Sequence, residues 1–322
     1  MAGIHLQKSR RSRVALTSLA ILSTAALLSA CSGTTEPVDT STADTGVVDE
    51  ELAALVPEQI AESGVLSLGG LWETPPMISV DAADTNVAVG VAPDLAALVA
   101  PIIGLEPEWT NMQWPAQLPG VLSGVVDALW AQVTGTAERE AAEYDQIPFY
   151  KTTDAILALS ETVADVTGLK DMCGLTVGTG VGSVHIDLVK SVNESFCVPA
   201  GEPVIEIAEY QGATAAISAV RAGTIDAWLD TTANQVSYAD GSGGELAAVE
   251  IPEDEEAPSY ITITVSKANP GLSEALAGAL RLAIEDGSYQ AVLDEWGVGP
   301  AAVTVDEVVI NPYTGLAPGE SE

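Results

Sequence analysis

Short apolar runs alternate along the chain with segments of helical character. The apolar runs predict strands at 64–69, 106–110, 125–133, 155–160, 174–178, 203–208, 224–229 and 260–265. The segments between them predict helices at 95–103, 118–122, 184–191, 212–222 and 272–287. Asp94 is placed to cap the first of these helices, and Gly104 and Gly287 are placed as stops. Regular alternation of strand and helix predicts an α/β fold with parallel sheets that are covered on both faces.

The first 30 residues have the layout of a signal peptide. Residues 8–13 are positively charged and residues 14–28 are apolar, a run too short to cross a bilayer comfortably. The segment 28–31, Leu-Ser-Ala-Cys, resembles the lipobox of bacterial lipoproteins. That resemblance implies cleavage before Cys31 and attachment of a diacylglyceryl group to its sulfur. An ordinary secretion signal followed by a chance cysteine is the alternative.

Two weakly apolar segments flank a central region of about 250 residues. Residues 31–50 are rich in Ser, Thr, Gly, Pro and acidic side chains, which predicts a disordered tether. The tail at 301–322 is similarly weak in core-forming residues. The central region is long enough for one large domain or for two lobes.

The chain is strongly acidic. It has 46 Asp and Glu residues against 11 Lys and Arg residues. Because four of these 11 cations lie in the leader and all the acids follow it, seven cations and a formal charge of −39 remain after cleavage. This surplus argues against nucleic acid, which requires basic side chains, and against anionic lipid surfaces. Solubility and an acidic face for a partner are both compatible with it.

The cysteines and histidines restrict the chemistry further. With Cys31 assigned to lipid, Cys173 and Cys197 remain as an even pair in an oxidising compartment, which favours a disulfide over two free thiols. His185 is the only histidine after the leader and is expected on a solvated helix face. So few candidate ligands predict no metal site of the usual kind and no cofactor.

A set of ordered landmarks resembles the family 3 extracellular solute-binding proteins of amino-acid ABC transporters, from about 52 to 297. The landmarks lie at 64–66 with 75–76, 90–95, 114–119, 122–128, 136–139, 147–150, 171–178, 180–183, 222–227, 269–272 and 286–297. Each is weak alone, and the order and spacing carry the resemblance.

The resemblance implies a two-lobed fold of the type II periplasmic-binding-protein kind, with two parallel-rich sheets flanked by helices and joined by two hinge strands. Lobe one would comprise 51–152 and 262–300, and lobe two would comprise 153–261. It also implies a monomer that binds an amino acid on the extracytoplasmic face of the membrane. Held there by its lipid anchor, the protein would deliver the ligand to an ABC transporter permease.

The resemblance implies that lobe one binds the carboxylate of the ligand. Arg139 has a planar guanidinium that suits bidentate carboxylate binding, and Thr134 matches a position that serves the same group. Gln132 matches a position whose backbone carbonyl faces the ligand ammonium, and Trp114 matches an aromatic residue beside the ligand. A surface ion pair for Arg139 and a core position for Trp114 are the alternatives.

Lobe two would complete the site. Gly182 and Ser183 lead into a helix whose first N–H groups can receive the carboxylate. Asp230 matches the acid that accepts the ammonium, although it could also cap the helix that follows. Trp72 and Glu73 are possible contacts to the ligand side chain.

Two other functions are compatible with the same fold. One is an exported cyclohexadienyl-type dehydratase, in which Glu73 would be the general acid. The other is a sensory lipoprotein that reports amino acids without transporting them. The sequence favours a binding protein rather than an enzyme.

Overall fold

The computed structural model describes residues 48–321, which form two five-stranded sheets and one small three-stranded sheet. The strands are β1 (Val65–Gly70), β2 (Glu73–Thr74), β3 (Ile78–Val80), β4 (Ala88–Val89), β5 (Glu106–Asn111), β6 (Ala128–Leu129), β7 (Tyr144–Thr152), β8 (Asp154–Leu159), β9 (Thr176–Gly180), β10 (Glu206–Tyr210), β11 (Ala227–Thr231), β12 (Leu246–Glu250) and β13 (Ser259–Ser266). The helices are α1 (Glu50–Ala53), α2 (Glu58–Ser63), α3 (Val91–Val99), α4 (Trp114–Leu122), α5 (Ala137–Ala141), α6 (His185–Val192), α7 (Val198–Ala200), α8 (Ala213–Arg221), α9 (Thr232–Gly241), α10 (Pro270–Glu285) and α11 (Ser288–Glu295). None of these helices is both long enough and apolar enough to cross a membrane. The predicted leader, Cys31 and most of the predicted tether lie outside the described residues.

The first large sheet has the strand order β5-β1-β6-β13-β7. Strand β1 runs parallel to β5 and β6, whereas β13 is antiparallel to β6 and β7. Leu66 and Leu68 of β1 are fully buried in the main core, together with Leu272, Leu276 and Leu280 on one face of α10. The apolar face predicted for this helix is therefore the face that packs on the sheet.

The second large sheet has the order β10-β9-β11-β8-β12. Strand β9 is parallel to β10 and β11, and β8 is antiparallel to β11 and β12. A disulfide joins Cys173, just before β9, to Cys197, beyond the end of α6, as the sequence predicts. Closing this loop restricts the unfolded chain and stabilises the lobe by about 3 kcal/mol in the chain-entropy model.

The chain passes between the two large sheets twice. Strand β7 ends in the first sheet at Thr152, and β8 begins in the second sheet at Asp154. Residues 251–258 return the chain from β12 to β13. The first lobe is therefore built from both ends of the described chain and the second lobe from its middle, which is the two-lobed α/β arrangement predicted above.

Two elements near the cleft differ from the sequence prediction. The strand predicted at 125–133 is only Ala128–Leu129, because the chain then leaves the sheet and forms a loop that faces the second lobe. The helix predicted from 95 begins at Val91 instead. Its N-cap is Gly90 at φ 139°, where a Cβ atom would lie 2.5 Å from the carbonyl oxygen of Met77. Asp94 does not cap the helix, because its carboxylate accepts a hydrogen bond from Trp296 Nε1 at 2.7 Å.

The segment predicted as a weakly apolar tail packs on the first lobe as far as it is described. Val308 and Asn311 are fully buried. The Asn311 side chain donates to Asp145 Oδ1 at 3.0 Å, and its Oδ1 accepts from the backbone N–H of Gln146 at 3.0 Å. A few apolar side chains in the main core, such as Val308, and these hydrogen bonds together hold the segment in place. Its overall composition is too weakly apolar to have predicted this packing.

Candidate functional site

A cavity that is partly open to solvent lies in the cleft between the lobes. Most of its lining residues lie at or just beyond the carboxyl ends of strands, which is where open α/β sheets place their ligands. The first lobe contributes Leu71, Thr74, Trp114, Gln117, Gln132, Thr134 and Arg139. The second lobe contributes Gly180, Ser183, Val184, His185, Gln211, Gly212, Ala213, Trp228 and Asp230.

Arg139 supplies a cation to the first-lobe wall. It lies in α5, whose N-cap Thr136 accepts a hydrogen bond from the Arg139 backbone N–H at 3.2 Å. The guanidinium donates to the carbonyl oxygen of Thr134 and lies 5.7 Å from the centre of the Trp114 ring. Burial lowers the pKa of Arg139, and the nearby Glu138 opposes that shift, but a guanidinium remains protonated in proteins.

Among residues 48–321, the guanidinium of Arg139 has no carboxylate partner. None of the ion pairs formed within residues 48–321 includes it, so a surface ion pair with a neighbouring glutamate is not formed. A partly buried cation that borders a cavity without a counter-ion is a site for an anionic group.

Asp230 supplies a carboxylate to the opposite wall. It lies in β11, and its Oδ1 accepts the backbone N–H of Thr231 at 2.8 Å. Burial raises the pKa of Asp230, while the nearby His185 and the Thr231 hydrogen bond oppose that shift. The helix that follows begins at Thr232 and its N-cap is Thr231, so Asp230 does not cap it.

Trp114 and Gln132 connect the lobes at the edge of the cavity. Trp114 begins α4, and its Nε1 donates to the carbonyl oxygen of Val181 at 2.9 Å. Gln132 Nε2 donates to Asn234 Oδ1 in α9 at 2.8 Å. Both side chains therefore border the cavity and also hold the two lobes against each other.

The loop 180–184 enters the cavity through Ser183 rather than Gly182. The Ser183 backbone N–H donates to Gly180 at 3.0 Å, and the Gly182 N–H faces Glu209 at 3.4 Å. The hydroxyl of Ser183 is buried and has no partner among the described residues. Ser183 therefore offers its side chain, and not its backbone N–H, to a bound molecule.

Trp72 and Glu73 lie outside the cavity lining. Trp72 is buried in a small cluster with Ile78. The Glu73 carboxylate reaches the second lobe, where it accepts hydrogen bonds from Thr214 Oγ1 at 2.7 Å and from the Thr214 N–H at 3.3 Å. The backbone carbonyl of Glu73 also accepts from the Tyr238 hydroxyl. In this closed arrangement, Glu73 links the two lobes and does not line the cavity.

His185 is buried and lines the cavity, so the expectation of a solvated helix face is wrong. Its Nε2 lies 3.1 Å from Asp154 Oδ2, within ion-pair distance although not aligned as a hydrogen bond. Burial itself opposes the charge, but Asp154, Asp230 and Glu256 together raise the pKa of His185 to about 9. Burial, reinforced by Asp154, raises the pKa of Glu256 to about 8. Asp154 and Glu256 lie where the chain passes from one lobe to the other. The buried cluster that they form with His185 therefore connects the cavity to both of these crossings.

The cluster predicts a stability that falls as pH rises. Between 6.5 and about 9 the folded state holds a proton on His185 that the unfolded chain has lost, and between 4.5 and about 8 the same is true of Glu256. Both differences favour folding at lower pH. We expect H185Q to be less stable than wild type by roughly 3–5 kcal/mol at pH 6, since a buried Asp154 loses its partner. The difference in stability between H185Q and wild type should narrow as pH rises from 6.5 to about 9.

Urea unfolding at a series of pH values checks this expectation. K190Q is the matched control because Lys190 lies on the same helix with an exposed side chain. A gap between H185Q and wild type that stays constant from pH 6 to pH 10 would contradict the assigned ion pair.

Sequence reasoning missed several lining residues, among them Gln117 and Trp228. Gln117 had a recognisable signal, since it is the one polar side chain in the otherwise apolar helix α4. Trp228 had a weaker one, because it precedes Asp230 by two residues in a strand and therefore lies on the same face.

Known proteins of similar sequence and structure are amino-acid-binding proteins. The profile of the family described as bacterial extracellular solute-binding proteins, family 3, matches residues 66–299. The arginine-binding protein ArgT of Corynebacterium glutamicum is 29% identical over 266 residues, which cover 81% of this chain and 83% of that protein. The L-cystine-binding protein TcyA of Bacillus subtilis is 23% identical over 237 residues, covering 74% and 82%. The solved structure of an ancestral arginine-binding protein bound to arginine has a TM-score of 0.63 at 24% identity, covering 72% of this chain and 98% of that one.

Proposed function

Because the chain belongs to the bacterial extracellular solute-binding proteins of family 3, we propose that it captures a free amino acid between its lobes and delivers it to an ABC transporter permease. It is a binding protein rather than an enzyme, as are the relatives named above. Those relatives are named for arginine and cystine, which share an α-carboxylate and an α-ammonium. Membership of the family therefore supports binding of these two shared groups and does not indicate a particular ligand side chain.

The observation that carries the proposal is the placement of Arg139 and Asp230 on opposite walls of one cavity. In the proposed complex Arg139 binds the ligand carboxylate through two N–H groups, assisted by the hydroxyls of Thr134 and Ser183. Asp230 accepts hydrogen bonds from the ammonium, assisted by the backbone carbonyl of Gln132. A zwitterion satisfies both buried charges at once, whereas a simple anion or cation would satisfy only one.

The remaining predicted contacts are secondary in this proposal. Trp114 packs its ring against the ligand, and the start of α6 beyond Gly182 adds its positive end to the carboxylate. Trp72 and Glu73 lie outside the lining, so we assign them no ligand contact in the closed form.

Ligand capture is proposed to close the cleft. The lobes, taken as 51–152 with 262–300 and as 153–261, touch through Glu73 with Thr214 and through Trp114 with Val181. These contacts require the two walls to meet. A ligand that binds both walls therefore stabilises the closed form over an open one, and the two crossings serve as hinges.

The family places the protein outside the cytoplasm. We further propose that Cys31 carries the lipid that anchors a monomeric protein to the outer face of the cell membrane. Acyl chains bury methylene groups at about 0.8 kcal/mol each, so two or more of them hold a protein firmly. Loss of membrane association in a C31S variant is the expected result, and continued association would overturn this part.

Neither alternative function has an observation in its favour. A dehydratase would need its acid in the cavity, and Glu73 lies outside the lining with its carboxylate bonded to Thr214. A sensor would use the same binding site, and only the partner protein would differ.

A thermal-shift screen against the common amino acids tests the proposal. At 100 times Kd a ligand adds about 2.7 kcal/mol of stability, which corresponds to an increase in Tm of roughly 5–10 °C for a domain of this size. We expect at least one L-amino acid to give this shift, and its decarboxylated amine to give none. If no amino acid shifts Tm, or if the amine works equally well, the proposal fails.

A further inference from the structure

Four side chains of the cavity lining have a buried polar atom without a hydrogen-bond partner among the described residues, namely Gln117, Ser183, His185 and Trp228. Ser183 is assigned to the ligand carboxylate and His185 lies at ion-pair distance from Asp154. This leaves Oε1 of Gln117, a residue 1% exposed, and Nε1 of Trp228, a residue 2% exposed. A buried polar group without a hydrogen bond destabilises a protein unless a bound molecule or water supplies its partner. Both residues line the cavity, so a ligand is the natural source of that partner.

The orientation of the Gln117 amide follows from its other contact. Gln117 Nε2 donates to the carbonyl oxygen of Met112 at 3.2 Å. A carbonyl only accepts, so the amide nitrogen must be the end that faces Met112. The oxygen is therefore the free end, and it requires a donor. A leucine at this position would fill the helix without leaving an acceptor to satisfy.

Trp228 supplies the opposite function. An indole N–H can only donate, so it requires an acceptor. Trp228 lies in β11 on the same face as Asp230, and its ring packs edge-on against Tyr210 with 6.2 Å between ring centres. The lining therefore holds one fixed acceptor from lobe one and one fixed donor from lobe two.

The charges of the lining restrict the ligand further. Asp230 is the only carboxylate among the lining residues, and the proposed function uses it for the α-ammonium. A second positive charge, such as a guanidinium, would have no counter-ion in the lining, because the Glu73 carboxylate lies outside it and is held at one oxygen by Thr214. A second negative charge would also lack a free cation, since His185 is paired with Asp154.

We infer that the site is specific for an amino acid with a neutral carboxamide side chain, read by Gln117 and Trp228. This inference rests on the proposed function. A carboxamide offers N–H donors to Gln117 Oε1 and a carbonyl acceptor to Trp228 Nε1, without adding charge. It therefore satisfies both unpartnered atoms, which neither an alkyl nor a charged side chain does.

Calorimetric titration of the full chain with a panel of amino acids tests the inference. We expect L-glutamine or L-asparagine to bind at least tenfold more tightly than L-arginine, L-glutamate and L-serine. Tighter binding of any of these three would overturn the carboxamide assignment while leaving amino-acid capture intact. If no amino acid in the panel binds, the proposed function itself fails.

Two variants test the named residues separately. Q117L removes the acceptor at similar size, and W228F removes the donor but keeps an aromatic ring. Each is expected to weaken glutamine or asparagine binding by roughly 5- to 100-fold. Binding of L-methionine, which resembles glutamine in length but makes no such hydrogen bonds, should change less than threefold. An equal loss of affinity for both ligands, or no loss for either, would contradict recognition of the carboxamide by Gln117 and Trp228.

Discussion

Amino-acid binding is expected to disappear in the R139A variant. The substitution removes the only cation that we assign to the ligand carboxylate and leaves that carboxylate buried without a partner. Truncating one member of a buried charge pair costs about 2–5 kcal/mol, which weakens binding roughly 30- to several thousand-fold. The thermal shift given by the best wild-type ligand should therefore vanish at concentrations that saturate wild type.

R221A is the matched control for this prediction. Arg221 lies on lobe two in an exposed pair with Glu245, so its loss makes the same change of charge away from the cavity. The free R139A protein should keep its fold, because the buried cation has no ion-pair partner among the described residues to leave behind. An R139A protein that responds to ligand as wild type does would remove Arg139 from the site.

The D230N variant tests the opposite wall of the cavity. It keeps the size of the side chain and removes the charge that we assign to the α-ammonium. Binding should weaken roughly 30-fold or more, for the same reason as in R139A. The ligand-free protein should be at least as stable as wild type near pH 7, because burial disfavours the ionised form of Asp230.

Calorimetry and urea unfolding of the same preparation separate these two effects. D187N is the control, since Asp187 is an exposed acid in a surface pair with Lys190. Loss of binding that accompanies a loss of stability in D230N would indicate a structural role. Unchanged affinity would show that the ammonium lies elsewhere.

The sequence pointed to Arg139 and Asp230 among the charged residues of the cavity, the second only through the family resemblance, and it missed His185. Few cations remain in so acidic a chain, and Arg139 follows Thr134 in a motif that resembles the family. The structure places Arg139, Thr134, Gln132, Trp114, Ser183 and Asp230 around one cavity. The sequence therefore predicted which positions surround the cavity. The R139A and D230N variants test which part of the ligand the two charged positions bind.

The burial of His185 could not be read from local pattern. Its position at the start of α6 is compatible with either a solvated or a buried side chain. The partners that decide the matter, Asp154 and Glu256, come from the two crossings between the lobes and are distant in sequence. Only the tertiary fold brings these groups together, and their proximity is what raises the pKa of His185.

The strand predicted at 125–133 failed for a related reason. Its apolar residues suit a buried strand, yet only Ala128–Leu129 pair with neighbours in the sheet. Trp130 and Val133 are fully buried all the same, because the loop packs inward while Gln132 and Thr134 border the cavity. Apolar content predicts burial, and it does not distinguish a strand from a packed loop at a binding site.

The decisive experiment is a crystal structure of the protein with its most stabilising amino acid. We expect the ligand carboxylate to lie within hydrogen-bonding distance of the Arg139 guanidinium, and the ammonium within the same distance of the Asp230 carboxylate. A ligand held in the cleft with either group directed away from its assigned partner would contradict it.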